Sequence, residues 1–318
     1  MGVADGSTTL VKRVSGGQFL HPRHWPTWLG LGVLWLIVQL PWPLLMGIGK
    51  GLGLLMYHTL MKRRHICQTN IALAFPDLNP VQQQQLVRDH FISLGKGLLE
   101  TALSWWGNPD DLMTYTEVEG IEYLNQALAQ GGVVLLSAHF TSLELGGRLL
   151  AQFFPLHVVY RPHQNPVIEW RVARLRAKRY GLAISRDDIR TMLRSLQQGN
   201  VVWYAQDQNF GRKNSVFAPF FGVSAATNTA TSRISFIGRA KVVPFFTVRI
   251  PNGYRLQFYP SLENFPSESV LNDTIQINQV IEQQVRVYPE QYLWTHRRYK
   301  DRPEGGNRYE LPVKTASS

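Results

Sequence analysis

The run Ser137-Ala-His-Phe-Thr-Ser-Leu-Glu-Leu-Gly-Gly147 sets a carboxylate, Glu144, shortly after a histidine, His139. Imidazole titrates near neutrality, with a pKa of about 6.5, so His139 can act as a general base. The base becomes cationic as it does so, and a carboxylate on its second ring nitrogen fixes the tautomer and stabilises that charge. Glu144 supplies this carboxylate if His139 sits just outside the first turn of a helix and Glu144 lies one turn in. The plainer alternative is a polar strand-end histidine beside a first-turn acid favoured by the helix dipole. Ser137 precedes the histidine without flanking glycines, so it is no nucleophile elbow. HFTSLE does not match HExxH, which argues against a zinc peptidase. Cys67 is the single cysteine, which excludes an internal disulfide and any multi-cysteine metal site; no metal is expected.

The elements that must position this pair follow from hydrophobic periodicity. The apolar run at 133–137 reads as a buried strand, followed by a helix over about 142–153. His139 then falls at the carboxyl end of a strand, where open α/β sheets gather ligands. Helices are expected over 80–106, 121–130, 167–180, 189–198 and 273–287, and strands over 156–162 and 201–206. Residues 241–250 and 254–260 form a hairpin around Asn252-Gly253. This alternation predicts an α/β fold with a single mixed, largely parallel sheet flanked by helices.

An N-terminal transmembrane or membrane-inserted helix is expected over 26–49, which carries no charge and ends before Lys50. At 1.5 Å per residue it can cross a hydrocarbon core of about 30 Å. Trp25, Trp28 and Trp42 suit the interfaces. Pro41 and Pro43 kink or end the helix, leaving a shorter or re-entrant insertion open. The domain plan is a tail at 1–25, the membrane segment at 26–49 and an α/β domain at 50–318. Basic residues on both sides of the segment leave its orientation unread, and MKRRH at 61–65 suits anionic headgroups.

Only 17% of the 318 residues are charged, below the roughly 25% usual for soluble domains. The net charge of +11 comes entirely from residues 161–318. A basic half implies an anionic partner: nucleic acid, acidic membrane or phosphorylated substrate. The lack of a recognisable nucleic-acid-binding module argues against the first.

Five stretches in order, HFTSLELGGR (139–148), VVYRPHQNP (158–166), VVWYAQDQNFG (201–211), VFAPFFGVSAAT (216–227) and PEQYLWTHRRYKDRPEG (289–305), carry a family resemblance. The chain resembles the late acyltransferases of lipid A biosynthesis, nearest to the Kdo-lipid IVA lauroyltransferase type. These belong to a wider glycerolipid acyltransferase group marked by histidine, four residues and an acid. Gln208 departs from the pattern, standing where histidine or another polar residue is expected. The alternative within that group is an enzyme acting on a lysophospholipid, which more usually carries aspartate at the place of Glu144.

The resemblance implies direct transfer of an acyl chain from acyl carrier protein to a hydroxyl of an acyl chain on a phosphorylated glycolipid. It implies no cofactor and no acyl-enzyme. It also implies a bacterial inner-membrane location, with membrane lipids as partners and the catalytic domain facing the cytoplasm. His139 is then the base and Glu144 its partner. Arg161 is either an oxyanion or substrate donor or a surface arginine, and Asp207 either a supporting carboxylate or a turn residue. Arg171 and Arg174 lie on a basic helix face that is either solvated or a docking surface for acidic acyl carrier protein. His296, Arg297, Arg298 and Arg302 suit sugar phosphates and Kdo carboxylates. Pro219–Gly222 walls an acyl tunnel or packs the core.

Overall fold

A computed structural model describes residues 16–213, 215–306 and 308–309. Residues 1–15 of the expected tail lie outside the described residues. The rest of it forms two short 3-10 turns, Gly16–Phe19 and Pro22–His24.

The apolar stretch that follows is two helices rather than one. α1 (Trp25–Ile37) ends ahead of a break, and α2 (Trp42–Thr59) starts with Pro43 in its first turn. Proline removes an amide donor and clashes with the preceding turn, so the chain restarts there. The 13 residues of α1 span only about 20 Å. Among the described residues no single helix is long and apolar enough to cross a membrane. α2 and α3 (Met61–Ala74) pass that test only as a pair, bent by 94°. The inner face of α2 packs on α4 (Pro80–Trp106) through glycine: a Cβ on Gly95 would lie 2.3 Å from the backbone of Gly49 and Gly53. The outer faces stay apolar and open, with Leu29, Val33, Leu36, Leu44 and Leu55 exposed.

α4 opens with a reciprocal cap, Asn79 and Gln82 each accepting the other's backbone N–H. Then come α5 (Pro109–Met113), β1 (Thr116–Glu119), α6 (Ile121–Leu128), β2 (Val133–Ser137), α7 (Leu143–Leu150), β3 (Leu156–Tyr160) and α8 (Pro166–Arg179). β4 (Leu182–Ser185), α9 (Ile189–Gln197) and β5 (Val201–Ala205) complete this half. A hairpin of β6 (Ser215–Phe220) and β7 (Val223–Asn228) precedes α10 (Ala230–Gly238), β8 (Lys241–Ile250), β9 (Gly253–Phe258) and α11 (Val270–Val287).

Seven strands form one sheet in the order β1-β9-β8-β2-β5-β3-β4, parallel except for the β8–β9 pair, and β6–β7 stands apart. The expected mixed, largely parallel sheet is therefore present. β2, buried along its whole length, lies at its centre. Alternate residues of β2 and β5 feed two separate cores, Val134, Leu136 and Val202 on one face and Val133, Leu135 and Val201 on the other.

β1, β4, β6, β7 and α10 are additions to the sequence reading. The β6–β7 turn, Phe221-Gly222, has positive φ at both residues, 51° and 73°, as a tight two-residue hairpin requires. Phe220 and Phe221 are buried in the core while Pro219 and Gly222 are exposed at the hairpin turn, so the aromatic part of Pro219–Gly222 packs the core and none of the run lines the cavity at His139.

Candidate active site

β2 and β5 run parallel in register from Val133 opposite Val201 to Ser137 opposite Ala205. Continuing two residues past both strands brings His139 opposite Asp207. The His139 Nδ1–H donates to Asp207 Oδ1 at 2.7 Å, and the His139 backbone N–H reaches both carboxylate oxygens at 3.1 Å. Because a carboxylate only accepts, Nδ1 carries the proton and Nε2 is left as the free acceptor. The His139 side chain is 27% exposed and that of Asp207 2%.

Burial alone pushes the imidazole pKa down. The charge and hydrogen bond of Asp207, with a smaller contribution from Glu144, outweigh it and leave His139 above its ordinary value. Burial pushes Asp207 up, but the His139 charge and the hydrogen bonds from His139 bring it below the usual carboxylate range. The pair is an imidazole held by a buried anion, an arrangement able to take up a proton.

The loop carrying His139 is clamped from both sides. The His139 carbonyl accepts from the Leu293 N–H at 2.9 Å, and the Thr141 N–H donates to the Gln291 carbonyl at 2.8 Å. Thr141 Oγ1 lies 2.8 Å from Ser93 Oγ and 3.4 Å from the Arg249 guanidinium. Arg249 forms a bidentate pair with the fully buried Glu100, both contacts at 2.6 Å. α7 lies close on the sheet because Gly146 and Gly147 lack side chains: a Cβ would meet Thr247 Oγ1 at 2.1 Å or the Trp203 ring at 2.5 Å.

His139 faces a cavity of about 600 Å³. The cavity opens because β3 pairs with β5 only as far as Val158 opposite Trp203, whereas β3 stays with β4 to Tyr160 and β5 stays with β2 to Ala205. Strands that part at their carboxyl ends leave a crevice.

Glu144 lines this cavity, but it is not on the imidazole. The carboxylate on Nδ1 is Asp207, and Glu144 accepts from Arg176 at 3.4 Å with 44% of its side chain exposed. The sequence spacing put Glu144 in the site and misassigned its contact. Arg161 lines the same cavity. Arg171 and Arg174 do not; Arg174 is exposed, its guanidinium 4.1 Å from the centre of the Trp170 ring. Arg176, from the opposite face of α8, turns into the cavity over Tyr160, while Arg179 donates to the last carbonyls of α4, Ser104 and Trp105.

The expected C-terminal anion cluster is dispersed. Arg298 is 1% exposed, donates to the Ala226 carbonyl at 3.0 Å and Thr227 Oγ1 at 2.7 Å, and lies over Phe220. It locks the β6–β7 hairpin and is not available to a phosphate. Arg302 pairs with Glu304, and Arg297 is exposed beside Tyr309. His296 is the member that reaches the site. Burial pushes it down to about 4, and its neutral Nε2 accepts the Asn209 N–H at 3.1 Å, holding the loop after Asp207.

Glu100, Arg249 and Arg233, which also lines the cavity, escaped the sequence reading, and Arg176 was legible only as a residue on a second face of its helix. An acid inside the leucine stripe of 94–103 was the available signal for Glu100. Cys67 is fully buried, burial pushes its thiol well up, and it is not part of the cavity wall. Among the described residues no group of three or more His, Cys, Asp or Glu side chains is placed to hold a metal ion.

A histidine hydrogen-bonded to a buried carboxylate, at the strand ends of a mixed α/β sheet and open to a cavity walled by aliphatic, aromatic and arginine side chains, is able to accept a proton from a hydroxyl. The profile of the family described as bacterial lipid A biosynthesis acyltransferase matches residues 16–301; the chain belongs to that family and is an acyltransferase. It is 40% identical over 290 residues to a lipid A biosynthesis lauroyltransferase of Escherichia coli (strain K12), covering 90% of this chain and 95% of that one. It is 39% identical over 292 residues to a lipid A biosynthesis palmitoleoyltransferase of the same organism, covering 91% and 95%. With a lipid A biosynthesis acyltransferase of Haemophilus influenzae the identity is 32% over 293 residues, covering 90% and 94%.

Proposed function

We propose that the enzyme moves a fatty acyl chain from acyl carrier protein onto a hydroxyl of an acyl chain of a Kdo-lipid IVA-like lipid A precursor, with His139 as general base. The observation that carries this reading is the 2.7 Å contact of Asp207 with His139 Nδ1, which leaves Nε2 open to the cavity. Nε2 takes the hydroxyl proton as the oxygen attacks the thioester carbonyl. The carbon–oxygen bond forms, the carbon–sulfur bond breaks, and the imidazolium returns the proton to the leaving sulfur. Asp207 stabilises the imidazolium between these steps. Arg161 supports the oxyanion from the cavity wall, and Arg176 adds positive potential there.

Arg171 and Arg174 offer a basic face to the acidic carrier protein, and the exposed Arg297 offers a contact for acceptor phosphate. The exposed apolar faces of α1 and α2 rest in the bacterial inner membrane, with the catalytic body on the cytoplasmic side.

Mass spectrometry of a phosphorylated glycolipid acceptor incubated with acyl carrier protein thioester and enzyme tests the reading. A mass gain of one acyl group with the native enzyme and none with folded His139→Ala is expected. Transfer at native rates by His139→Ala overturns the proposed base.

A further inference from the structure

α10 lies along the cavity and presents it with one stripe: Ala230, Ile234 and Ile237, spaced four and three residues apart, all line the wall. The helix starts beside the catalytic pair, because Gln206, the residue before Asp207, accepts the Thr231 N–H at 2.8 Å. From there to Ile237 the stripe runs about 9 Å at 1.5 Å per residue. Ile189 of α9 and Val159 and Tyr204 from the parted strands form the facing wall. Ile189 and Ile237 remain 43% and 49% exposed, large aliphatic side chains for which a hydrocarbon would be a favourable cover.

A second groove, of about 1270 Å³, lies beyond this helix. Arg233 and Ile237 are the residues that line both spaces. Resting on the function proposed above, we infer that the slot along Ala230, Ile234 and Ile237 takes the acyl chain of the donor, and that Ile237 is the partition that sets how long that chain can be. A single unbranched chain, its carbonyl at His139, matches one apolar slot. The acceptor's anionic headgroup is suited to the arginines of the wall, Arg161 and Arg176. Truncating Ile237 joins the slot to the second groove and admits longer chains, and enlarging it shortens the slot.

The test measures kcat/KM with acyl carrier protein carrying a short and a long saturated chain, at one acceptor concentration series, for the native enzyme, Ile237→Ala and Ile237→Trp. Pocket changes of one or a few methylenes are worth on the order of tenfold. The long-to-short ratio is expected to rise about tenfold in Ile237→Ala and fall about tenfold in Ile237→Trp, with the acceptor KM unchanged. Should Ile237→Trp show no thermal unfolding transition, Ile189→Trp narrows the same slot from the facing helix and carries the same expectation. An unchanged ratio in active variants overturns the slot and leaves the acyl-transfer reading standing, as does a change confined to the acceptor KM. Failure of the native enzyme to transfer from any donor overturns both.

Discussion

His139 and Asp207 are 68 residues apart in sequence, yet the same register that pairs Val133 with Val201 pairs them. Each was visible as a chemically capable residue at a strand end. Their contact was not, because it depends on which strands are neighbours, and the chain visits β3 and β4 before inserting β5 beside β2. Glu144, close in sequence, was the tempting partner. Its carboxylate belongs to the cavity wall with Arg176, so Glu144→Gln is expected to lower kcat/KM while shifting the acid limb of the pH–rate profile less than Asp207→Asn does. Equal or larger shifts with Glu144→Gln would return the orienting role to Glu144. Arg298 was misread for a related reason: a run of basic residues looks solvent-facing until the β6–β7 hairpin that encloses it is placed.

Among elements, the long periodic ones were legible. α4 spans the expected 80–106, and α8, α9, β8 and β9 lie within three residues of expectation at either end. α10 was not, since ATSRISFIG is short and rich in Ser and Thr, residues that favour caps and turns over helix interiors. The break between α1 and α2 was announced by Pro41 and Pro43, although the pairing of Gly49 and Gly53 with Gly95 was not. The clamp on the 139–142 loop joins four elements through buried polar groups. Removing Arg249 would strand the Glu100 charge, at a cost of about 3–5 kcal/mol, so Thr141→Val is the cleaner probe. It removes the hydroxyl that meets Ser93 and Arg249 and is expected to lower kcat by roughly ten- to a hundredfold with both KM values unchanged, since small misplacements of a base are costly. A stability loss of about 1 kcal/mol with kcat intact would make the contact purely structural.

On the scale of the whole molecule, charge and apolar surface are segregated. The basic residues of the second half include Arg161, Arg176, Arg186 and Arg233 on the cavity wall, while open leucines gather on α1 and α2. Leu36 and Leu44 are 61% and 59% exposed. If these faces rest in the bilayer, Leu36→Asp with Leu44→Asp should weaken sedimentation with anionic phospholipid vesicles by on the order of tenfold or more, because burying each leucine contributes about 1.5–3 kcal/mol. Unaltered binding would contradict a bilayer contact through these faces. Composition alone pointed to lipid here; how the segment folds back on α4 depended on packing that hydropathy does not encode.

The pH dependence of single-turnover acyl transfer by the native enzyme and by Asp207→Asn tests the central pairing most directly. His139 must be neutral to act as a base, and its pKa lies above the ordinary 6.5, so native activity is expected to fall with decreasing pH through a midpoint above 6.5. Without the Asp207 charge, burial acts on the imidazole unopposed by its main partner, and the midpoint moves to lower pH. The plateau rate should drop by roughly a thousand- to ten-thousandfold as the tautomer is lost. A midpoint and plateau unchanged in Asp207→Asn would contradict the assignment of Asp207 as the carboxylate that orients His139.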